Sequence, residues 1–421
     1  MQGGGMISAR NAIVLLLGLA VCGSLGAAAQ GVDLQAIQPA GYKPSSSPFS
    51  EGILAGNTLY VSGQGPNTPD GSLPATFDGK VKQTLANVRA VLQAAGMDYD
   101  SVVWMNVYLT SAGDIPAMNK AYWETIGSDP PARTVVVVGA LAGGQEQEIE
   151  INCIAVKRSA GRRAIWPQGW RRGKDVDPPG IEAGDVLYMS AMNGADPKTG
   201  AIPSDFSDEV RQALNNVSAV TQAAGMSMKN VLWVNPYMTG NVEGRAMNQV
   251  YKTFFEFGNT PGRGTIEMTG LPGGSHIVFS CIAGADLAKR QAIRPRNEPP
   301  SATASPGILY GDTLYLSAKD AYVPALGIIS PDLDVQLRLS FRNLLDGLQK
   351  ADMTFSDVVF STVYLRNIKD FSQMNDIYKT FFKGMFPTRT TVQQNNDFGV
   401  IDTEQISFIA VRNSHPPQKQ Q

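Results

Sequence analysis

The sequence predicts an α+β protein: three tandem copies of one small two-layer domain, closing into an intramolecular pseudo-trimer with a barrel-like core. Three observations predict it. Markers recur along the chain at a spacing near 128 residues. Within each copy the apolar residues alternate between strand and helix periods in the order ββαβαββ. Two helices cover only one face of such a sheet, so three copies must bury the remaining faces against each other.

The repeat is plain in the residues. Ala36-Ile37-Gln38-Pro39 returns as Ala164-Ile165-Trp166-Pro167 and Ala292-Ile293-Arg294-Pro295, starting at 36, 164 and 292, a spacing of 128 both times. Leu59-Tyr60-Val61-Ser62 returns as Leu187-Tyr188-Met189-Ser190 and Leu314-Tyr315-Leu316-Ser317. Met118-Asn119 with Tyr122 returns as Met247-Asn248 with Tyr251 and Met374-Asn375 with Tyr378. Pro131-Ala132-Arg133 returns as Pro261-Gly262-Arg263 and Pro387-Thr388-Arg389. A period this long is a whole domain, not a solenoid turn of about 20–50 residues. The expected boundaries are 30–158, 159–288 and 289–415, with a tail at 416–421.

Each element has its own signal. Gly56-Asn57, Gly184-Asp185 and Gly311-Asp312 sit between apolar runs and mark a two-residue hairpin turn. Val81, Leu85, Val88 and Leu92 fall at helical spacing, and Gly96 stops that helix. A strand follows at 102–110, repeated at 231–239 and 358–366. The second helix carries the Met-Asn pair. Two strands close the copy, one after Pro-x-Arg and one ending in Cys-Ile-Ala or Phe-Ile-Ala.

Residues 1–29 form an expected export signal: Arg10, an apolar run at 12–22, then Ala27-Ala28-Ala29. The run is shorter than the roughly 20 residues a membrane-spanning helix needs. The mature chain is therefore expected in the periplasm or outside the cell, free of the membrane. Cys153 and Cys281 remain after cleavage, at equivalent places where the third copy has Phe408, which points to a packed core position rather than a disulfide.

Composition narrows the chemistry. The chain has 421 residues, 43% of them hydrophobic and 17% charged, with a formal net charge of -2, a balance without the basic excess of a nucleic-acid binder. Its two histidines, His276 and His415, leave little room for a His triad or His-rich metal site. No metal or cofactor is expected. One basic stretch, Lys157 to Lys174 with Trp166 and Trp170, joins copies one and two and reads as a solvated linker with one stapling tryptophan, the alternative being an anionic-polymer patch.

The ββαβαββ order, the hairpin ending in Ser62-Gly63-Gln64, the Met-Asn-x-x-Tyr helix and the Pro-x-Arg strand start together resemble the RidA/YjgF family, also named endoribonuclease L-PSP. The resemblance covers essentially the whole mature chain, three times. It implies a chorismate-mutase-like fold, sites in the clefts between copies, and hydrolysis of 2-imino acids to 2-keto acids and ammonia. It assigns Arg133, Arg263 and Arg389 to clamp a substrate carboxylate, a task suited to the planar guanidinium. Ser62, Ser190 and Ser317 would contact the imine end, and Asn119, Asn248 and Asn375 would line or brace the cleft. Read without the resemblance, the arginines fit interdomain ion pairs, the serines fit strand-end backbone bonds, and the asparagines fit local helix braces.

The same resemblance locates a family Glu two residues before the final Ile-Ala. Here Asn152, Ser280 and Ser407 stand there; these could still contact ligand or orient a water but cannot take its proton. Glu150 lies two residues earlier, on the same strand face, a step of about 6–7 Å away, and only in copy one. A family Tyr before the hairpin is replaced by Phe49, Asp177 and Ala304. The expected function is binding of small 2-imino or 2-keto carboxylates with weakened hydrolysis. The alternatives are a non-catalytic ligand-binding or chaperone-like module and, least supported, an endoribonuclease.

Overall fold

The computed structural model describes residue 1 and residues 31–414, except 44, 241, 324–327 and 396–402. The expected export signal and the tail at 416–421 lie outside the described residues.

Each copy folds as a mixed α+β layer pair. In copy one the strands Gly52–Ala55 and Thr58–Gln64 form the hairpin. Gly56 turns it at φ 59°, and Gly184 and Gly311 turn the equivalent hairpins at 62° and 58°, a left-handed backbone open to glycine. The helix Phe77–Ala94 starts where Thr76 accepts a hydrogen bond from the Gly79 N–H at 3.1 Å. It buries Val81, Leu85, Val88 and Leu92 completely. Its equivalents Phe206–Ala223 and Leu333–Lys350 start on Asp205 and Asp332 in the same manner. Gly96 and Gly225 end the first two in the left-handed region, and in copy three Asp352 takes that conformation at φ 56°.

An element absent from the ββαβαββ reading opens each copy. The short strands Leu34–Ile37, Arg162–Ile165 and Arg290–Ile293 pair antiparallel with the first hairpin strand. These are the Ala-Ile-x-Pro markers; each has four residues and stops before its proline, which makes the strand signal short.

Three open sheets result, and none closes on itself. In copy one the order runs from Leu34–Ile37 through the hairpin to Ile149–Val156, then Val102–Leu109 and Ala132–Val137, the last pair parallel. The helices cover one face: Ile149, Ile151 and Cys153 belong to a core with Val81, Leu85 and Val88. Copies two and three have matching helix-side cores, and Cys153 and Cys281 are both buried and free.

The other faces meet. Tyr60, Trp104, Ile154, Tyr188, Trp233, Ile282, Tyr315, Phe360 and Ile409, from all three copies, form one buried cluster. Trp104 and Trp233 pack edge to face at 6.1 Å, and the Trp104 Nε1–H donates to the Met189 carbonyl at 3.2 Å. A second shared cluster holds Tyr108, Tyr237 and Tyr364, one from each copy. Backbone bonds cross the seams too. Ala140–Leu141 of copy one adds to the sheet of copy three, and the Val137 N–H of copy one donates to Gly270 of copy two.

Candidate functional site

The Pro-x-Arg signature starts the strand parallel to the central one, and its arginine stands in the seam with the neighbouring copy. The Arg133 backbone N–H donates to Ser190 Oγ at 2.9 Å, Arg263 to Ser317 at 2.8 Å, and Arg389 to Ser62 at 2.8 Å. Copy one is thus tied to two, two to three and three to one. Each serine hydroxyl donates its single proton to a carbonyl twelve residues back: Pro178, Ser305 and Ser50. The serines therefore fix where each arginine stands. Below each guanidinium lies the tyrosine of the Met-Asn-x-x-Tyr helix, with Tyr122 at 4.0 Å, Tyr251 at 5.0 Å and Tyr378 at 4.8 Å.

From this common frame the three clefts diverge. In the first, Arg133 Nε and Nη2 donate to Asp177 Oδ2 at 3.0 and 2.8 Å. Asp177 comes from the segment before copy two's hairpin, and both side chains are largely buried. Burial pushes the Asp177 carboxyl up, and Arg133 pulls it back. This guanidinium already holds a carboxylate belonging to the chain itself.

In the second, Arg263 Nη1 donates to Asn248 Oδ1 at 2.7 Å. Among the described residues no carboxylate pairs with Arg263. It lines a cavity of about 250 Å³ with Ser317, Lys319, Glu298, Ala304 and Gln405.

In the third, Arg389 is 4% exposed, and its Nη1 has no hydrogen-bond partner among the described residues. It stands between Phe49 and Phe371, at 5.7 and 5.5 Å. A cavity of about 250 Å³ is lined by Arg389, Phe49, Phe371, Gly63, Thr391 and Glu150. Burial pushes the Glu150 carboxyl up to about 8, against the pull of Arg389. A Cβ on Gly63 would stand 1.8 Å from Glu150 Oε1, so the bare glycine backbone is what leaves this carboxyl its place.

The structure corrects two sequence expectations. The first is the weakened chemistry expected from Asn152, Ser280 and Ser407 at the family Glu position: Glu150, two residues earlier in copy one, lines the Arg389 cavity. Along Ile149–Val156 both Glu150 and Asn152 face the neighbouring copies, and a register irregularity between Val61 and Gln64 opens the ladder beside Glu150. The equivalent positions, three before Cys281 and Phe408, hold Val278 and Gln405.

The second correction concerns Asn152, Ser280 and Ser407 as ligand contacts. Asn152 accepts from Asn106 Nδ2 at 2.8 Å and donates to Thr390 Oγ1 at 2.7 Å. Ser280 Oγ lies 2.8 Å from Thr134 Oγ1. These two are engaged inside the seams, and Ser407 is buried at 3% exposure. Of the helix asparagines, Asn248 braces its arginine, while the Asn119 and Asn375 Oδ1 atoms are buried without a hydrogen-bond partner among the described residues.

Three of the seven basic side chains between Lys157 and Lys174 are in ion pairs: Arg158 with Asp100, Arg162 with Asp129 and Arg163 with Glu182. Trp166 lines a separate cavity of about 550 Å³ with Trp123, and Arg172 stacks on it at 5.4 Å.

The endoribonuclease L-PSP family matches this chain at residues 41–157, 178–284 and 295–396. A RutC family protein of Pyrococcus horikoshii is 37% identical over 112 residues, 26% of this chain and 87% of the relative. A goat (Capra hircus) protein named 2-iminobutanoate/2-iminopropanoate deaminase is 38% identical over 105 residues, 24% of this chain and 77% of the relative. The crystal structure of RidA from the Antarctic bacterium Psychrobacter sp. PAMC 21119 is 32% identical, covers 29% of this chain and 98% of its own, and superposes with a TM-score of 0.28.

Proposed function

This chain belongs to the endoribonuclease L-PSP (RidA/YjgF) family, in three tandem copies, and we propose that it binds small 2-imino and 2-keto carboxylates and hydrolyses 2-imino acids in the Arg389 cleft. One observation carries the reading: a buried guanidinium with a free donor and a buried carboxyl share one small cavity. The Arg133 cleft supports it from within the chain, because there the same guanidinium holds the carboxylate of Asp177. Relatives named as imine deaminases support the reaction class.

In this reading Arg389 grips the substrate carboxylate, which sets the imine carbon near Glu150. The oxygen of a water bonds to that carbon as the C=N π pair moves to nitrogen. Neutral Glu150 gives its proton to that nitrogen and takes one back from the attacking water. Glu150 then protonates the amino nitrogen of the carbinolamine and takes its hydroxyl proton as the carbonyl forms and ammonia leaves. Phe49, Phe371 and Tyr378 wall the cleft with rings and keep the guanidinium dry, which strengthens its hold on an anion. Each charge-assisted bond from Arg389 contributes about 1.5–3 kcal/mol.

The same proposal takes the three copies as an intramolecular pseudo-trimer with a barrel-like core. The cyclic arginine–serine bonds and the clusters shared by all copies support it. It takes the mature protein as exported to the periplasm or beyond, on the strength of the N-terminal pattern. RNA cleavage is not part of it: the formal net charge is -2, three of the seven basic linker side chains are in ion pairs, and His276 is bonded to Glu209.

The test is ammonia release from freshly generated 2-iminobutanoate. Turnover by the parent chain, reduced about ten- to a hundredfold in kcat/KM by Arg389→Ala, is the expected result. Turnover unaffected by Arg389→Ala, or none from the folded parent, would overturn the reading.

A further inference from the structure

The Arg263 cleft shares the frame of the Arg389 cleft and differs at each position that would limit a ligand's size or chemistry. Gln405 stands at the place of Glu150 and lines the cavity. An amide neither gives up nor takes a proton near neutrality, but it can donate to a carbonyl oxygen. Ala304 stands at the place of Phe49. Gly244, the first residue of the helix Gly244–Tyr251, stands at the place of Phe371, the first residue of Phe371–Tyr378. Neither ring that boxes Arg389 has a counterpart around Arg263.

Without those rings the cleft opens outward. Glu298, Ala304, Pro306, Ala318 and Lys319 line the Arg263 cavity and also line a neighbouring cavity of about 580 Å³ that reaches Tyr322 and Asn343. Lys319 and Glu298, paired at 2.5 Å, form the shared wall. The guanidinium itself is ready for an anion. It is oriented by Asn248 and Tyr251, and no carboxylate among the described residues pairs with it.

We propose that the Arg263 cleft is a second, non-hydrolysing site for 2-keto acids with longer side chains than the Arg389 cleft admits. The ligand carboxylate lies on Arg263, the keto oxygen accepts from the Gln405 amide, and the side chain extends past Ala304 toward Tyr322. The choice of 2-keto acids rests on the hydrolase reading, because these are the product class of that reaction. The size preference rests on Ala304 and Gly244 alone.

The experiment is calorimetric titration of the mature chain with phenylpyruvate. The expected result is one site per chain, weakened at least tenfold by Arg263→Ala and retained in Arg389→Ala. Ala304→Phe restores the missing ring, keeps the arginine, and should also weaken binding at least tenfold. That variant tests the site even where Arg263→Ala fails to fold. Phenylpyruvate binding that survives both Arg263→Ala and Ala304→Phe overturns the inference, as does loss of the site in Arg389→Ala. Absence of imine turnover with Arg263-dependent phenylpyruvate binding would sink the hydrolase reading and leave the second site standing.

Discussion

Replacing Glu150 with glutamine should make the protein more stable at high pH while removing hydrolysis. Burial raises the Glu150 carboxyl from 4.5 to about 8. The folded chain therefore keeps this proton up to about pH 8, whereas the unfolded chain releases it near its ordinary value. Between those limits the folded state binds more protons, so the carboxyl's contribution to stability falls as pH rises through the window. Converted at about 1.4 kcal/mol per pH unit, the full window costs roughly 5 kcal/mol, of which about 4 kcal/mol falls between pH 5 and pH 9. Glutamine keeps the shape of the neutral acid and has no such loss. Urea unfolding of parent and Glu150→Gln at pH 5 and pH 9 should give nearly equal stabilities at the lower pH and a variant more stable by about 4 kcal/mol at the higher. Other groups titrate alike in both proteins and cancel in the difference. A stability gap that is the same at both pH values would refute the claim that burial holds this carboxyl neutral.

Three further outcomes follow from particular contacts. Gly63→Ala puts a Cβ where Glu150 Oε1 now lies; kcat for 2-iminobutanoate should fall at least tenfold, on the scale of a displaced acid–base group, while phenylpyruvate binding at Arg263 is retained. Asp352→Gly relieves a left-handed φ of 56° on a residue with a side chain, and thermal unfolding should show a gain of about 0.5–1 kcal/mol. Asp177→Ala uncovers Arg133 and should add one carboxylate-binding site per chain by calorimetry, at a cost in stability of up to about 3 kcal/mol for the buried arginine left without its partner.

The repeated parts of the site were legible because the chain states them three times. Pro-x-Arg, the hairpin serine and the Met-Asn-x-x-Tyr helix recur in order, and they meet at each seam. The serines illustrate the limit of that reading: their position was evident, but their bonds join an arginine N–H of one copy to a carbonyl of the next. Such bonds depend on how sheets pack, which no local pattern encodes. Glu150 was visible on the correct strand face, since strand side chains alternate with period two. That alternation cannot separate Glu150 from Asn152, which share a face. The opened register near Ser62 and the bare backbone at Gly63 place the one at a cavity, while Thr390 of copy three takes up the other. Asp177 stood at a marked position, yet its ion pair with Arg133 spans a linker and a seam. The initial edge strands were too short, at four residues, for alternation to register.

Fusion of the copies into one chain explains why the clefts differ. In an assembly of identical subunits, one substitution changes every site at once, so a Glu→Gln change at the Glu150 position would abolish all hydrolysis. In a single chain each seam can change alone. The three positions now hold Glu150, Val278 and Gln405, and the residues facing the three arginines are Phe49, Asp177 and Ala304. The Arg133 seam has gone furthest: a valine replaces the carboxyl, and Asp177 supplies an internal anion that satisfies a buried guanidinium. That pair compensates for a charge which would otherwise be left unmatched in a ligand-free cleft, so it stabilises the seam at the expense of the site. Arg389 shows the opposite balance, with a buried donor left open beside a carboxyl held neutral by burial. Both features oppose stability, and both are what a site for an incoming anion and a proton transfer requires.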